Sequence, residues 1–153
     1  ISEALRYDVK GRKYIGTGTK YYFEDIGIRN AVVDFRQIEY THIMENMVYN
    51  ELRKQGYTVD VGSVESFKRD ENGKLQRRNL EIDFVVNRHD ERLYIQSAYA
   101  LPDKEKIDQE QASLLNVKDG FRKVIIVGDR YYSNYNEEGI MMMSLFDFLL
   151  GTK

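Results

Sequence analysis

Cysteine and tryptophan are absent from the 153-residue sequence, and proline occurs once. Without cysteine the chain cannot form a zinc ribbon, an iron–sulfur centre, a thiol nucleophile or a disulfide framework. No apolar run approaches the roughly 18 residues that a membrane-spanning helix needs, and the chain does not open with a secretory signal. We therefore expect a cytoplasmic protein that has no membrane partner.

An excess of one charge sign is also missing. The 23 Lys and Arg residues are balanced by 25 Asp and Glu residues, which gives a net charge of -2. A protein that grips nucleic acid non-specifically normally carries a basic excess, so this balance argues against that role for the whole chain.

Positive charge is nevertheless concentrated around the turn at Asn72-Gly73. The candidate nucleic-acid contacts in this cluster are Lys68, Arg69, Lys74, Arg77 and Arg78. A hairpin with these side chains could follow a phosphate backbone. Because Asp70 and Glu71 interrupt the cluster, a solvated loop is the alternative interpretation.

Residues 1–20 are polar, contain three glycines and show no sustained period. That pattern is typical of a linker with at most one short strand. Residues 21–153 are then expected to form one domain. Because the first residue is Ile1 rather than Met, we expect the sequence to be a piece of a longer protein, in which the linker follows a missing region.

Apolar periodicity predicts alternating helices and strands after residue 20. Asp25 is the predicted cap of a helix whose apolar residues run to Phe35. A second helix is predicted to begin at Thr41 and to stop at Gly56. A third helix is predicted after Asp103. Strands are predicted at 20–23, 57–64, 80–86, 93–101, 123–127 and 140–143. This order predicts an α/β sandwich around a mixed sheet.

The two central strands form a predicted hairpin whose turn lies between His89 and Asp90. In that register Asp83 lies opposite Gln96, and Glu81 lies opposite Ala98. Strict alternation would then place these four side chains on one face of the hairpin. The other face would be apolar and would carry Leu80, Ile82, Phe84 and Val86.

The helix that precedes this hairpin carries two carboxylates near its apolar stripe. Glu51 falls inside the stripe and Glu45 falls at its edge. Burying a lone carboxylate is very costly, so each must be paired in the core or directed at a polar site.

Three segments carry a resemblance to a known family: HIMENMVYNELRKQGY (42–57), EIDFVV (81–86) and YIQSAYAL (94–101). They resemble the C-terminal domain of a group of prokaryotic AAA-type ATPases, which has the restriction-endonuclease-like PD-(D/E)xK fold. RYDVKGRKY (6–14) and KYYFEDIGIRNAV (20–32) are similar to the segment that follows the winged-helix region of those ATPases. The resemblance implies a three-layer sandwich, a missing N-terminal part that binds ATP, and that ATPase domain as a partner.

In the nuclease pattern a helix supplies a Glu, a strand supplies an Asp, and the next strand supplies an acid and, two positions on, a Lys. The carboxylates hold Mg²⁺, and the Lys orients the attacking water or stabilises developing charge. Glu45, or less readily Glu51, matches the helix Glu, and Asp83 matches the strand Asp. Gln96 and Ala98 take the places of the second acid and the Lys.

An amide and a methyl group cannot perform the chemistry of an acid and a lysine, so the resemblance implies a vestigial site with no intact catalytic set. The fragment is then a non-catalytic module that recognises DNA or a partner protein, or that regulates the attached ATPase. Under this interpretation it needs no cofactor of its own. A further alternative is a domain that acts only as a scaffold and packs against the ATPase.

The alternative is an active Mg²⁺-dependent nuclease in which Glu45 and Asp83 hold the metal. It requires a relocated catalytic lysine, such as Lys104 or Lys106 on the following helix.

Overall fold

The computed structural model describes residues 1–35, 39–129 and 133–151. Helices flank one eight-stranded mixed sheet, which confirms the predicted α/β architecture with a central sheet. The strands are β1 (Ser2–Asp8), β2 (Lys13–Tyr22), β3 (Thr58–Arg69), β4 (Leu75–Arg88), β5 (Glu91–Ala98), β6 (Arg122–Val127), β7 (Asn134–Tyr135) and β8 (Met141–Ser144). The helices are α1 (Ile26–Val32), α2 (Tyr40–Lys54), α3 (Lys104–Leu115) and α4 (Leu145–Leu150).

The strands follow the spatial order β2-β1-β3-β4-β5-β6-β8-β7. Strands β3, β4 and β5 form an antiparallel meander, and α3 carries the chain across to β6, which runs parallel to β5. A parallel pair requires such a crossover, because its second strand must start at the same end of the sheet as the first.

Two apolar cores cover the two faces of the sheet. Val48 and Leu52 of α2 pack with Phe84 on one face, and Leu114 at the end of α3 packs with Val85 on the other. Strand β6 contributes alternate residues to both cores. Its continuous apolar sequence is therefore explained by burial on both faces, as predicted. No helix within the described residues is long and apolar enough to cross a membrane.

The prediction of a linker over residues 1–20 is wrong, because most of this segment forms β1 and β2. Strand β1 pairs with β2 on one side and with β3 on the other, and Ala4 is completely buried. Strand β2 lies at the edge of the sheet, and most of its side chains are exposed. An edge strand with two polar faces leaves no apolar alternation for sequence reasoning to detect.

Helix α1 has the predicted cap but not the expected burial. The Asp25 carboxylate accepts a hydrogen bond from the Ile28 amide at 3.0 Å. None of the residues of α1 is buried, however, and Ile28 and Val32 are 59% and 68% exposed. The apolar spacing thus identified a real helix whose apolar side chains face outwards in this chain.

Helix α2 matches its prediction closely. It begins at Tyr40, one residue before the predicted Thr41, and ends at Lys54. Gly56 follows with φ of +87°, a left-handed conformation that glycine adopts without strain.

Candidate functional site

The predicted register of the central hairpin is confirmed between Phe84 and Arg88. Val85 pairs with Tyr94, as the turn position requires. Regular pairing stops at Asp83. Its amide donates a 3.3 Å hydrogen bond to the Gln96 side chain, and its carboxylate Oδ2 accepts hydrogen bonds at 2.8 Å from both the amide and the hydroxyl of Ser97.

The predicted division of this hairpin into a polar and an apolar face is wrong. Asp60 of β3 pairs with Val85 and Gly62 pairs with Ile82, so β4 places two residues where β3 places one. This is a β-bulge at Asp83 and Phe84. Ile82 consequently belongs to the core under α3, whereas Phe84 belongs to the core under α2.

Gln96 and Ala98 therefore do not share a site with Asp83. The Gln96 side chain donates a 3.3 Å hydrogen bond to Glu110 of α3, and Ala98 packs into the core on that same side. Asp83 lies instead on the α2 side, where its carboxylate interacts with Glu45. The residue of β5 that contacts it there is Ser97.

The Lys20 ammonium lies among three carboxylates on the α2 face. Its Nζ is 2.9 Å from Glu45 Oε1, 2.6 Å from Glu81 Oε1 and 4.0 Å from Asp83 Oδ1. We call these four residues the lysine–carboxylate cluster. The structure thus brings Glu45 and Asp83 together as predicted, and it adds two members that the sequence did not suggest as a site.

Two further side chains hold the cluster in place. The Tyr22 hydroxyl donates a 2.6 Å hydrogen bond to Glu45, and the Arg6 guanidinium binds the second carboxylate oxygen of Glu81 at 2.8 Å. Glu51, the less favoured match for the helix Glu, instead accepts hydrogen bonds from Lys54 and Gln55, one turn further along the chain. Glu45, and not Glu51, is therefore the α2 carboxylate that belongs to the cluster.

Burial and charge perturb the cluster strongly. Burial and the nearby Glu45 raise the pKa of Asp83, although Ser97 and Lys20 oppose the rise. Burial also acts to raise the pKa of Glu81, but hydrogen bonds and charge from Lys20 and Arg6 outweigh it and hold that pKa below its usual value. Asp83 is thus driven towards its neutral form, whereas Glu81 stays ionised.

The three carboxylates of the cluster surround an ammonium group. Carboxylate oxygens are the ligands that Mg²⁺ prefers, and Glu45, Glu81 and Asp83 would supply them. The described residues contain no group of three or more His, Cys, Asp or Glu side chains arranged to hold a metal ion. The Lys20 ammonium instead provides the compensating charge.

Neither proposed replacement for the catalytic lysine reaches this cluster. Lys106 pairs with Glu110 at 2.5 Å on α3, on the opposite side of the sheet, and Lys104 starts that same helix. The lysine that does reach the cluster is Lys20, on β2. Lys20 and Tyr22 stand two residues apart and point to one face, a signal that the strand predicted at 20–23 already contained.

A cavity of about 350 Å³ opens beside the cluster. Lys20, Tyr22 and Glu45 line it from the cluster side, and Arg29 and His42 line it from the two helices. Solvent and small solutes therefore have access to Glu45 and Lys20.

The predicted basic cluster lies on a two-stranded ribbon formed by the outer parts of β3 and β4. Arg78 pairs with Ser66, and Lys68 pairs with Gln76, in a hairpin closed at Gly73. We call residues 65–79 the ribbon. The structure places all five predicted contacts here, and all five are exposed.

Charges on the ribbon are only partly neutralised. Arg77 pairs with Glu65, and the Asp70 carboxylate accepts hydrogen bonds from turn amides, including that of Lys74. Lys68 and Arg78 form no ion pair with any residue that the structure describes. These two cations are available to an anionic partner.

The sequence is similar to part of a longer bacterial protein. An uncharacterized protein of Haemophilus influenzae is 34% identical over 148 residues, which cover 97% of this chain and 33% of the relative. The chain therefore spans about a third of the length of the relative that it matches. No protein-family model and no solved structure matches the chain.

Proposed function

We propose that this chain is a restriction-endonuclease-like domain of an AAA-type ATPase that has lost its cutting chemistry and recognises DNA or a partner protein. The order of elements supports the proposal. A helix supplies Glu45, the second strand of a meander supplies Asp83, and a helix then crosses to a parallel strand, which is the arrangement expected for the nuclease fold. The longer relative is compatible with an attached ATPase.

The observation that carries the loss of catalysis is the position of Lys20. Its ammonium lies within 4.0 Å of all three carboxylates of the cluster. Mg²⁺ demands nearly ideal octahedral oxygen ligation at about 2.0–2.1 Å, so a cation already held between the same oxygens opposes its binding. Ser97, which faces Asp83 from the next strand, carries no charge to replace the missing acid.

Substitution of Lys20 tests this proposal directly. The wild-type chain should leave DNA intact with Mg²⁺ or Mn²⁺ and should bind Mn²⁺ weakly in a calorimetric titration. Lys20→Ala should bind Mn²⁺ more tightly, because Glu45 and Asp83 then lose the counterion that they share and Glu81 keeps only Arg6. Lys13→Ala, which removes an exposed lysine from the same strand, is the matched control and should behave as wild type. DNA cleavage by the wild type that Asp83→Ala abolishes would overturn the proposal.

DNA is the partner that the ribbon favours. Lys68 and Arg78 lie on one face of the ribbon without ion pairs among the described residues. If they contact phosphates, affinity for duplex DNA should fall with salt, and Lys68→Ala and Arg78→Ala should each reduce the slope of log K against log salt by about 1. A wild-type affinity that does not respond to salt would instead support a protein partner.

The second candidate function is an active Mg²⁺-dependent nuclease in which Lys20 is the relocated lysine. Its support is the 4.0 Å distance between Lys20 Nζ and Asp83 Oδ1. Here the wild type should cut DNA with Mn²⁺, and Lys20→Ala should still bind the metal but cut at least about 100-fold more slowly. The same two proteins therefore discriminate the two candidate functions.

A further inference from the structure

A larger cavity lies on the α3 face, on the opposite side of the sheet from the lysine–carboxylate cluster. Its volume is about 590 Å³, within the roughly 300–1,000 Å³ of typical small-molecule sites. Val9 and Val117 join its wall to the core under α3. We call it the basic cavity, after the cations in its lining: Lys10, Arg12, Arg92 and Lys118.

Arg92 is the fixed cation of this cavity. Its Nε donates a 2.7 Å hydrogen bond to the Asn87 side chain, and its guanidinium lies 5.5 Å and 5.6 Å from the ring centres of Tyr7 and Phe121. It forms no ion pair within 4.0 Å of a described carboxylate, although its charge acts on Asp60 at longer range. A guanidinium oriented in this way, without a carboxylate, is suited to bidentate binding of a phosphate.

Three more cations surround Arg92 at the rim. Lys10 donates a 2.6 Å hydrogen bond to the backbone oxygen of Glu65 and forms no ion pair with a described carboxylate. Arg12 and Lys118 have neither hydrogen-bond nor ion-pair partners for their side chains among the described residues. An anion in the cavity would therefore lie near several positively charged side chains that are not paired with a described carboxylate.

Two of the three carboxylates in the lining already have partners. Glu91 accepts a 2.8 Å hydrogen bond from the Tyr57 hydroxyl, and Asp119 accepts a 2.6 Å hydrogen bond from the Tyr94 hydroxyl. Asp90 lies at the exposed hairpin turn. Four cations thus face three carboxylates, of which two are engaged by neighbouring tyrosines.

Two of the four described non-glycine residues with positive φ lie at the same rim. Arg12 and His89 have φ values of 51° and 54°, in the left-handed region that favours glycine or asparagine. Residues held in such conformations cluster at functional sites, where the surrounding structure fixes them. Arg12 and His89 thus occupy backbone conformations that glycine adopts with less strain.

Phe121 supplies an aromatic surface beside these charges. Phe121 is 43% exposed as a residue, and its ring meets the Tyr94 ring edge-on at 6.5 Å. Exposed aromatic faces next to cations are suited to stacking of nucleobases. We propose that the basic cavity binds a nucleoside 5′-phosphate, with its phosphate on Arg92 and its base against Phe121. This inference does not rest on the proposed function of the other face.

Calorimetric titration with three probes tests the assignment. Adenosine 5′-monophosphate should bind at least about tenfold more tightly than inorganic phosphate or adenosine, because it alone uses both the cations and the aromatic ring. Arg92→Gln should weaken its binding at least about tenfold. Arg69→Ala removes a cation of the ribbon and is the matched control. Failure of the monophosphate to bind, or equal binding of all three probes, would overturn the proposal.

Two milder variants keep the test decisive if Arg92→Gln does not fold. Lys118→Ala removes a side chain that has no hydrogen bond or ion pair with the described residues, and Arg12→Asn suits its left-handed backbone. Each should weaken binding about threefold while the melting temperature is unchanged. Unchanged affinity in both variants would refute the site.

The phosphate could belong to a free nucleotide or to the 5′ end of a nucleic-acid strand. A short single strand that carries a 5′-phosphate should displace the monophosphate if strand ends are bound, and should leave it in place if free nucleotides are bound. Displacement by the same strand with a 5′-hydroxyl would contradict the proposal, because it would not need the phosphate.

Discussion

Asp83→Asn should stabilise this protein, and the gain should grow with pH. Asp83 is 8% exposed, and burial together with the charge of Glu45 raises its pKa from 3.8 to about 7. Because the folded pKa lies above the unfolded one, the contribution of the carboxyl to stability is fully present below about pH 4 and is lost as pH rises through 7. An asparagine mimics the neutral form and accepts the hydrogen bonds of Ser97 without this loss.

The magnitude follows from the shift. One pKa unit corresponds to about 1.4 kcal/mol, so a rise of about three units costs the ionised form up to about 4 kcal/mol above pH 7. Between pH 5 and pH 8 the difference in unfolding free energy between Asp83→Asn and wild type should increase by about 2–3 kcal/mol. Any effect of the substitution on stability that is independent of pH shifts the difference equally at every pH. It therefore does not alter this increase.

Urea denaturation of both proteins at several pH values between 5 and 8 measures the effect. Asp90→Asn, at the exposed turn of the same hairpin, is the control and should show no such trend. A stability difference between Asp83→Asn and wild type that stays constant over this range would refute the reasoning. It would mean that Lys20 and Ser97 fully compensate the buried charge.

Three further substitutions and one control test the packing of the fold. Tyr22→Phe removes the 2.6 Å hydrogen bond to Glu45 and should cost about 1.5–3 kcal/mol in unfolding free energy, measured by urea denaturation. Leu52→Ala should cost about 2–5 kcal/mol because Leu52 is 1% exposed, while Val32→Ala on exposed α1 should change stability by less than about 0.5 kcal/mol. Gly62→Ala should destabilise by about 1–3 kcal/mol, since its Cβ would lie 2.8 Å from Ile82, and a neutral melting temperature would argue against the close approach.

The parts of the fold that sequence predicted well have strong periodic patterns. Helix α2 carries buried apolar residues such as Val48 at helical spacing, and β6 is a continuous apolar run. Only the end of the edge strand β2, at residues 20–22, was predicted, because the rest of β2 is mostly polar and exposed. Lys20 lies in the predicted part, but its strand pattern gave no reason to assign it to a site. Tertiary position at a sheet edge, rather than local propensity, decides the structure of that segment.

The candidate site was predicted in part. Glu45 and Asp83 meet as the resemblance implied, but Gln96 and Ala98 lie on the other face of the sheet. Side chains alternate with a period of two, so a shift of one residue moves every following side chain to the opposite face. Strict alternation is the only assumption available from sequence, and the bulge in β4 violates it.

The bulge itself is what assembles the cluster. Without the extra residue at Asp83–Phe84, alternation from Val85 would direct Asp83 and Glu81 towards α3 and Gln96, away from Glu45. With it, both acids point towards α2. Bulges redirect side chains next to active sites and increase local twist. A carboxylate turned by a bulge into a buried site that raises its pKa is a costly arrangement, and the hydrophobic core alone gives no reason to keep it. The β-bulge made the sequence-based prediction of the two faces wrong. It is also the best structural reason to regard this face of the sheet as functional.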